Sequence, residues 1–429
     1  PPSTAIWVRH LTLWVGLLGA VLASSRNRHL SVTLGEVLPT AHLDRHLDIL
    51  RRGTTVGILV WLTYASFILV VSQRQSPEAL GGWFPTWLAM AAMPLGFVCM
   101  ALGTFWKKGE GWPARASLTA LGLGVGPLVA LLPVWHGGPV LLVSLGALGV
   151  LGLAGGPLYA VLGGAALLLF RGELVPVAAV PAGVYGIVTD HVLPSIPLFA
   201  LAGVVLARGG SPKRLVELVQ SWAGWLPGGP CVATILGCAF FTAITGASGV
   251  TILALGGLLL PILLASRPNG GFGLGLLTAS GSVGLLFFPS LPVILYAVRG
   301  QVAIDQLFVA ALIPGLLLLV ALTAFSLLCR GPNRATPVPF ELRRALSATR
   351  RAWGDLLLPV LIVGGFFGGF GTLVEISALA ALWAIVLEVG IHRTLDPRRG
   401  LPRAMIETAI VMGALVAVIG MAFGLFSYL

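Results

Sequence analysis

The sequence predicts an all-α, polytopic membrane protein of about 12 transmembrane helices plus one re-entrant helical hairpin, and three observations carry that prediction. The 429 residues are 57% hydrophobic and only 10% charged, with a mean hydropathy of +0.97. That is more apolar surface than a water-soluble core buries. The apolar runs are punctuated at short intervals by charge or by Gly and Pro. The basic residues, finally, fall almost entirely into alternate connections.

Along the chain, spans are expected at about 5–24, 54–72, 84–105, 117–134, 139–154, 157–171, 191–207, 271–298, 303–329, 355–371, 374–391 and 403–425, with a hairpin at 227–265. The runs beginning at 139 and 157 meet at Gly155-Gly156-Pro157 and read either as two short spans or as one kinked helix. Charge favours two. With a turn there, 22 of the 26 Lys and Arg fall on one side, leaving Arg9, Arg74, Arg171 and Arg299 opposite them. The positive-inside rule then puts the N-terminus outside. The net charge of +11 is thereby an orientation signal, spread over short loops, and no nucleic-acid partner is implied.

Two inside segments are more than connectors. Ser211-Pro212 opens a helix with Leu215, Leu218 and Val219 on one face and Trp222 and Trp225 near its end, and Phe340 to Trp353 sets Arg343, Arg344, Arg350 and Arg351 around Leu342, Leu346 and Trp353. Both have the pattern of amphipathic helices on the cytoplasmic surface, in contact with membrane lipids; a solvated basic loop is the alternative for the second. The four cysteines, Cys99, Cys231, Cys238 and Cys329, sit in or at the ends of apolar runs without metal-ligand spacing and read as packing residues. Trp83, Trp87 and Trp135 read as interface anchors, Arg299 as a snorkelling side chain, and His29 as solvated or lipid-facing.

The stretch from Leu226 to Tyr296 holds the chemistry. Thr245-Gly246-Ala247-Ser248-Gly249-Val250-Thr251 interrupts the apolar runs Val232 to Ile244 and Ile252 to Leu264. Each arm of about 13 residues, roughly 20 Å as helix, is too short for a ~30 Å hydrocarbon core, so the pair is expected to enter and leave by one face. A second break is expected at Ser280-Gly281-Ser282, followed by Phe288-Pro289-Ser290-Leu291-Pro292, where two prolines remove backbone donors. Unwound backbone at membrane depth lines a cavity or is buried in protein, and helix ends, carbonyls and hydroxyls there suit a cation or a small anion. Polar residues cluster at these breaks and stripe no whole helix, which disfavours a channel. Hydrolase and metalloprotease motifs, paired intramembrane aspartates and a phosphate-binding loop are all absent from the sequence, which points away from an enzyme or an ATP-driven pump.

A series of landmarks resembles the membrane components of tripartite ATP-independent periplasmic (TRAP) transporters, in a version with small and large subunits fused. They are Leu193-Pro194-Ser195-Ile196-Pro197 to Gly210, Lys213-Arg214-Leu215-Val216, Trp225-Leu226-Pro227-Gly228-Gly229, the small-polar break, Gly284 to Tyr296, Leu307 to Gly315, and Gly368 to Glu375. The opening, with Leu18-Gly19-Ala20, Arg28 to Val32 and Leu38-Pro39, is similar to the middle of the small subunit. On that resemblance, 1–105 is a partial small-subunit-like membrane domain, 106–138 a connecting segment and helix, and 139–429 a large-subunit-like transport domain. The fold implied is the first half of an inverted-repeat transporter with the start of the second, and both ends of the sequence look cut.

The function the resemblance implies is a multi-pass bacterial inner-membrane permease, Na+-coupled, importing a small organic acid delivered by a periplasmic solute-binding protein. No cofactor other than the coupling ion is implied. An ion-coupled anion transporter working without a binding protein is the alternative. Thr245, Ser248 and Thr251 are the expected Na+ ligands, because a hard cation wants several oxygens. Gly246, Ser280, Ser282, Pro289, Ser290, Thr372 and Glu375 complete the expected ion and substrate site. Close packing by small residues competes with this reading at the hairpin, and a capping role competes at Glu375. The family's usual Ser-Gly-Ser-Ser, double proline and Thr-Pro-Thr-Glu are replaced by Thr245-Gly246-Ala247-Ser248, Phe288-Pro289-Ser290 and Thr372-Leu373-Val374-Glu375, departures that bear on the strength and number of ion sites.

Overall fold

The computed structural model describes residues 2–33, 41–75, 79–80, 84–106, 139–173, 175–226, 228–266, 270–328 and 339–428. The chain is predominantly helical, and among the described residues seven helices are long and apolar enough to cross a membrane, or up to nine if each of two bent pairs counts as one span. It divides into two compact units, residues 1–193 with 409–429, and residues 194–408. The expected span at 117–134, Trp83, Trp135 and Cys329 lie outside the described residues.

The first unit opens with α1 (Pro2–Ser25), α2 (Ala41–Gln75), a short α3 (Thr86–Met90) and α4 (Ala92–Phe105). Leu13, Leu17, Leu59, Leu62, Met93, Phe97 and Met100 form its buried core. The strand Ser31–Thr33 pairs antiparallel with Ala154–Pro157, so an extended segment separates α5 (Pro139–Leu153) from α6 (Leu158–Gly172). The two short helices are distinct and pack on each other. A further helix, α7 (Ala179–Val188), buries Val180, Val184, Ile187 and Val188, and the sequence reading had no element there. Its ten residues are too few for a periodic signal, and Pro181, of a type that breaks helix interiors, is accepted because it occupies the helix's first turn.

Arg51 and Arg52 belong to α2 and turn inward: Arg51 donates from Nη1 to the Ala154 carbonyl at 2.9 Å, and Arg52, 8% exposed, pairs with Asp48 at 2.8 Å. His29 is half-buried, bonded through Nε2 to Ser24 Oγ at 2.7 Å with its ring 4.5 Å from that of Tyr159, and is not solvated. Burial lowers its pKa to about 4. The C-terminal helix α18 (Gly400–Phe426) meets α1 backbone to backbone, since a Cβ at Gly19 would stand 1.8 Å from the Ala409 carbonyl oxygen.

In the second unit, α8 (Ser195–Arg208) ends at Gly209-Gly210 and the chain restarts as α9 (Ser211–Ala223), with Pro212 in its first turn and a bend of 76° between the two. α10 (Gly229–Thr245) and α11 (Ser248–Ser266) form the hairpin. α12 (Gly270–Val283) passes through one 3₁₀ turn, Gly284–Leu286, and an unwound stretch into α13 (Leu291–Gly300). α14 (Ile304–Leu328), α15 (Leu342–Arg351), α16 (Trp353–Phe367) and α17 (Leu373–Ile385, continuing as a π-helical turn Val386–Ile391) complete the unit. α8 and α17 share its most extensive helix contact.

Candidate functional site

The hairpin turn is narrower than the sequence pattern suggested. Gly246 takes φ +65° and caps α10, its N–H donating to the Thr242 carbonyl at 2.8 Å, and α11 has already begun at Ser248. A left-handed C-cap is the conformation Gly provides at least cost. The arms are therefore 17 and 19 residues long rather than about 13, and α11 alone has the length and hydropathy of a span. Ser248, Gly249 and Thr251 lie in its first turn.

Around this turn the hydroxyls gather. Thr242 Oγ1 donates to Thr251 Oγ1 at 2.7 Å, and Thr245 Oγ1 reaches Thr251 Oγ1, the Ala247 carbonyl and the Thr242 carbonyl only at 3.3, 3.4 and 3.5 Å. Thr242, Thr245 and Thr251 are all buried, and Thr242 is a member the sequence reading missed because it sits inside an apolar helix run. Thr245 also packs against α8, where a Cβ at Gly203 would fall 2.7 Å from its Cα.

The second break lies later than expected. Ser280 and Ser282 are in regular helix, their hydroxyls donating to the Leu276 and Thr278 carbonyls at 2.5 and 3.2 Å, which removes any reason for the helix to open there. The unwinding occurs over Phe287 to Ser290, as the Pro289 and Pro292 signal indicated, and the Phe288–Pro289 peptide is cis. Ser290 is extended, precedes α13 as its cap residue, and is fully buried with an Oγ that has no hydrogen-bond partner among the described residues. The two breaks adjoin: a Cβ at Gly246 would stand 2.7 Å from Leu291 Cγ, and one at Gly284 would stand 2.5 Å from Thr242 Cβ. Phe288 holds the unwound segment in place, its ring 4.6 Å from Phe308, 5.1 Å from Phe366 and 5.6 Å from Phe367.

Thr372 and Glu375 form a capping box at the start of α17. The Thr372 N–H and hydroxyl donate to Glu375 Oε2 at 2.7 and 2.9 Å, and the Glu375 N–H returns to Thr372 Oγ1 at 3.4 Å. Both residues are exposed, and these bonds stay within the one turn.

Among the described residues the buried carboxylates are two that the sequence pattern does not single out. Asp355 and Glu388 are 1% and 0% exposed, and Arg214 bridges them: Nε to Asp355 Oδ2 at 2.6 Å, Nη2 to Asp355 Oδ1 at 3.0 Å, and Nη2 to Glu388 Oε1 at 2.5 Å. Ser211 Oγ donates to Asp355 and Thr394 Oγ1 to Glu388. The Gly210 N–H donates to Glu388 Oε2 at 2.9 Å. One guanidinium faces two carboxylates, and the positive ends of α9 at Gly210 and of α16, whose first turn contains Asp355, supply the rest of the compensation. Among the described residues no group of three or more His, Cys, Asp and Glu is arranged to hold a metal.

These features define a multi-pass helical membrane protein with a hydroxyl-lined meeting point of a hairpin and a broken helix. The DctM component of the tripartite ATP-independent periplasmic transporters matches residues 142–429, and the DctQ component of the same transporters matches residues 2–107. The chain belongs to this transporter family, with both membrane components fused in one polypeptide, and the family is one of transporters rather than enzymes. Its permeases are inner-membrane proteins, and this chain is one. The C4-dicarboxylate TRAP transporter large permease protein DctM of Rhodobacter capsulatus is 32% identical over 305 residues, covering 67% of this chain and 69% of the relative. The isethionate TRAP transporter permease protein DctMQ of Oleidesulfovibrio alaskensis is 34% identical over 204 residues, covering 47% of this chain and 32% of the relative. The ectoine TRAP transporter large permease protein TeaC of Halomonas elongata is 33% identical over 205 residues, covering 47% of each chain. Apart from the first, the chain thus spans half or less of these relatives' length.

Proposed function

We propose that the chain is the membrane component of a Na+-coupled secondary transporter that imports a small organic acid handed over by a periplasmic solute-binding protein. The observation that carries this reading is the Ser290 hydroxyl, fully buried beside the hairpin turn and unpartnered among the described residues. A buried hydroxyl without a partner costs free energy unless a ligand satisfies it. Thr245 Oγ1, with only long contacts, and the carbonyls freed at the end of α10 are further oxygens for a hard cation. Ser248 opens α11 and Ser290 precedes α13, so two positive helix ends and the negative end of α10 come together. That arrangement favours a cation and a carboxylate side by side.

In this reading Thr245, Gly246, Ser248, Thr251, Pro289 and Ser290 form the site. Ser280 and Ser282 line its approach, and the Thr372–Glu375 turn serves as a cap. The hairpin is re-entrant and opens to the cytoplasmic side, and the described helices belong to a fold of about 12 spans built on inverted repeats. Residues 1–105 act as a scaffold that binds no substrate, 106–138 connect, and 139–429 transport. The C4-dicarboxylate, isethionate and ectoine named for the relatives are all small polar or anionic solutes, which supports an organic acid as substrate class. Uptake of radiolabelled organic acids into proteoliposomes, with Na+ and the binding protein omitted in turn, tests the proposal. Unimpaired uptake without Na+ would refute the coupling.

A further inference from the structure

α9 turns 76° from α8, and with Leu215, Val216 and Leu218 buried while Trp222 is exposed it has the two-faced pattern of a helix lying along the bilayer surface. α15 lies against α9: Trp222 Nε1 donates to Thr349 Oγ1 at 3.0 Å, and Arg351 Nη1 is 3.3 Å from Glu217 Oε2. The small residues Ala345 and Ala348 are the buried face of α15. Its outer face carries Leu342 and Leu346, 56% and 55% exposed and one turn apart, next to the exposed Arg343, Arg344 and Arg350. Among the described residues these three arginines have no carboxylate partner. Phe340 extends the apolar part, its ring 6.2 Å from that of Trp222 and 5.7 Å from that of Trp225, all three exposed.

A face of leucines, aromatic rings and unpaired arginines along the bilayer plane fits neither water nor the hydrocarbon interior. It fits the boundary, where apolar groups enter the acyl region and guanidinium groups reach phosphates. We propose that α15, with Phe340, Trp222 and Trp225, binds anionic phospholipid headgroups of the leaflet that the basic residues mark as cytoplasmic. The charge balance selects the lipid class, since the unpaired cations gain from a negative headgroup and not from a zwitterionic one.

The test uses the full chain, with its native cysteines replaced and Leu346→Cys spin-labelled, in nanodiscs of phosphatidylcholine with or without phosphatidylglycerol. Collisions with dissolved oxygen and with a water-soluble nickel chelate locate the label, and mass spectrometry of retained lipid measures preference. The label should be oxygen-accessible and nickel-shielded with phosphatidylglycerol present, and phosphatidylglycerol should be enriched around the protein. R343Q/R344Q/R350Q should lower that enrichment by on the order of tenfold. A label as nickel-accessible as a loop site in both lipids, a label shielded from both reagents, or an unchanged lipid preference in the triple variant would overturn the proposal.

Discussion

Arg214 donates from Nε to Asp355 Oδ2 at 2.6 Å across 141 residues, and with Glu388 on its other side it fastens the elbow between α8 and α9 to the start of α16 and the end of α17. All three side chains are nearly inaccessible, at 11%, 1% and 0% exposure. Arg214→Met leaves two buried carboxylates without their cation, and breaking such a pair costs roughly 3–5 kcal/mol. Thermal unfolding in detergent should show a large loss. Arg214→Lys should recover only part of it, because an ammonium cannot bond two carboxylates through a planar fork. A melting temperature unchanged in Arg214→Met would remove the staple from the stability of this unit.

Gly209→Ala is predicted to be as damaging as the loss of a charge. A Cβ there would stand 2.3 Å from Glu388 Oε2, so the carboxylate has to leave the Gly210 N–H that it accepts from. Gly257→Ala is the matched control, since its Cβ meets nothing within 4 Å, and it should be neutral or stabilising. Comparing the two melting temperatures checks the claim, and equal effects would contradict it.

His29 gives a pH dependence. Burial lowers its pKa from 6.5 to about 4, so the fold favours the neutral imidazole. Its contribution is fully present above 6.5 and is lost as the pH falls toward 4, where the unfolded chain binds the extra proton. His29→Gln should flatten that part of the stability profile. A profile with the same slope in the variant would assign the pH dependence to other groups.

Much of this architecture is written in local sequence. Gly246 and the Pro289/Pro292 pair mark both breaks, because a left-handed turn and missing N–H donors leave direct compositional traces. Ser280-Gly281-Ser282 misled as the place of the break, since a serine that bonds the carbonyl one turn back looks in sequence like one at which the helix opens. The staple was hidden for a different reason. Arg214 reads as one more cytoplasmic charge, and Asp355 and Glu388 sit at span ends where carboxylates are usually solvated. Only the tertiary arrangement brings the three together. Glu375, where a capping role competes with a site role, is the exposed carboxylate of a capping box.

The most direct test of the account is the Na+ dependence of uptake in full-length protein carrying Ser248→Ala or Ser290→Ala. Each substitution removes one oxygen from the meeting point of the hairpin and the broken helix, and Ala suits a close-packed membrane interface, so folding should be retained. The account predicts a rise in half-saturating Na+ of about tenfold or more, the equivalent of a lost contact worth roughly 1.4 kcal/mol, with uptake restored at high Na+. Half-saturation unchanged from wild type in both variants would contradict it.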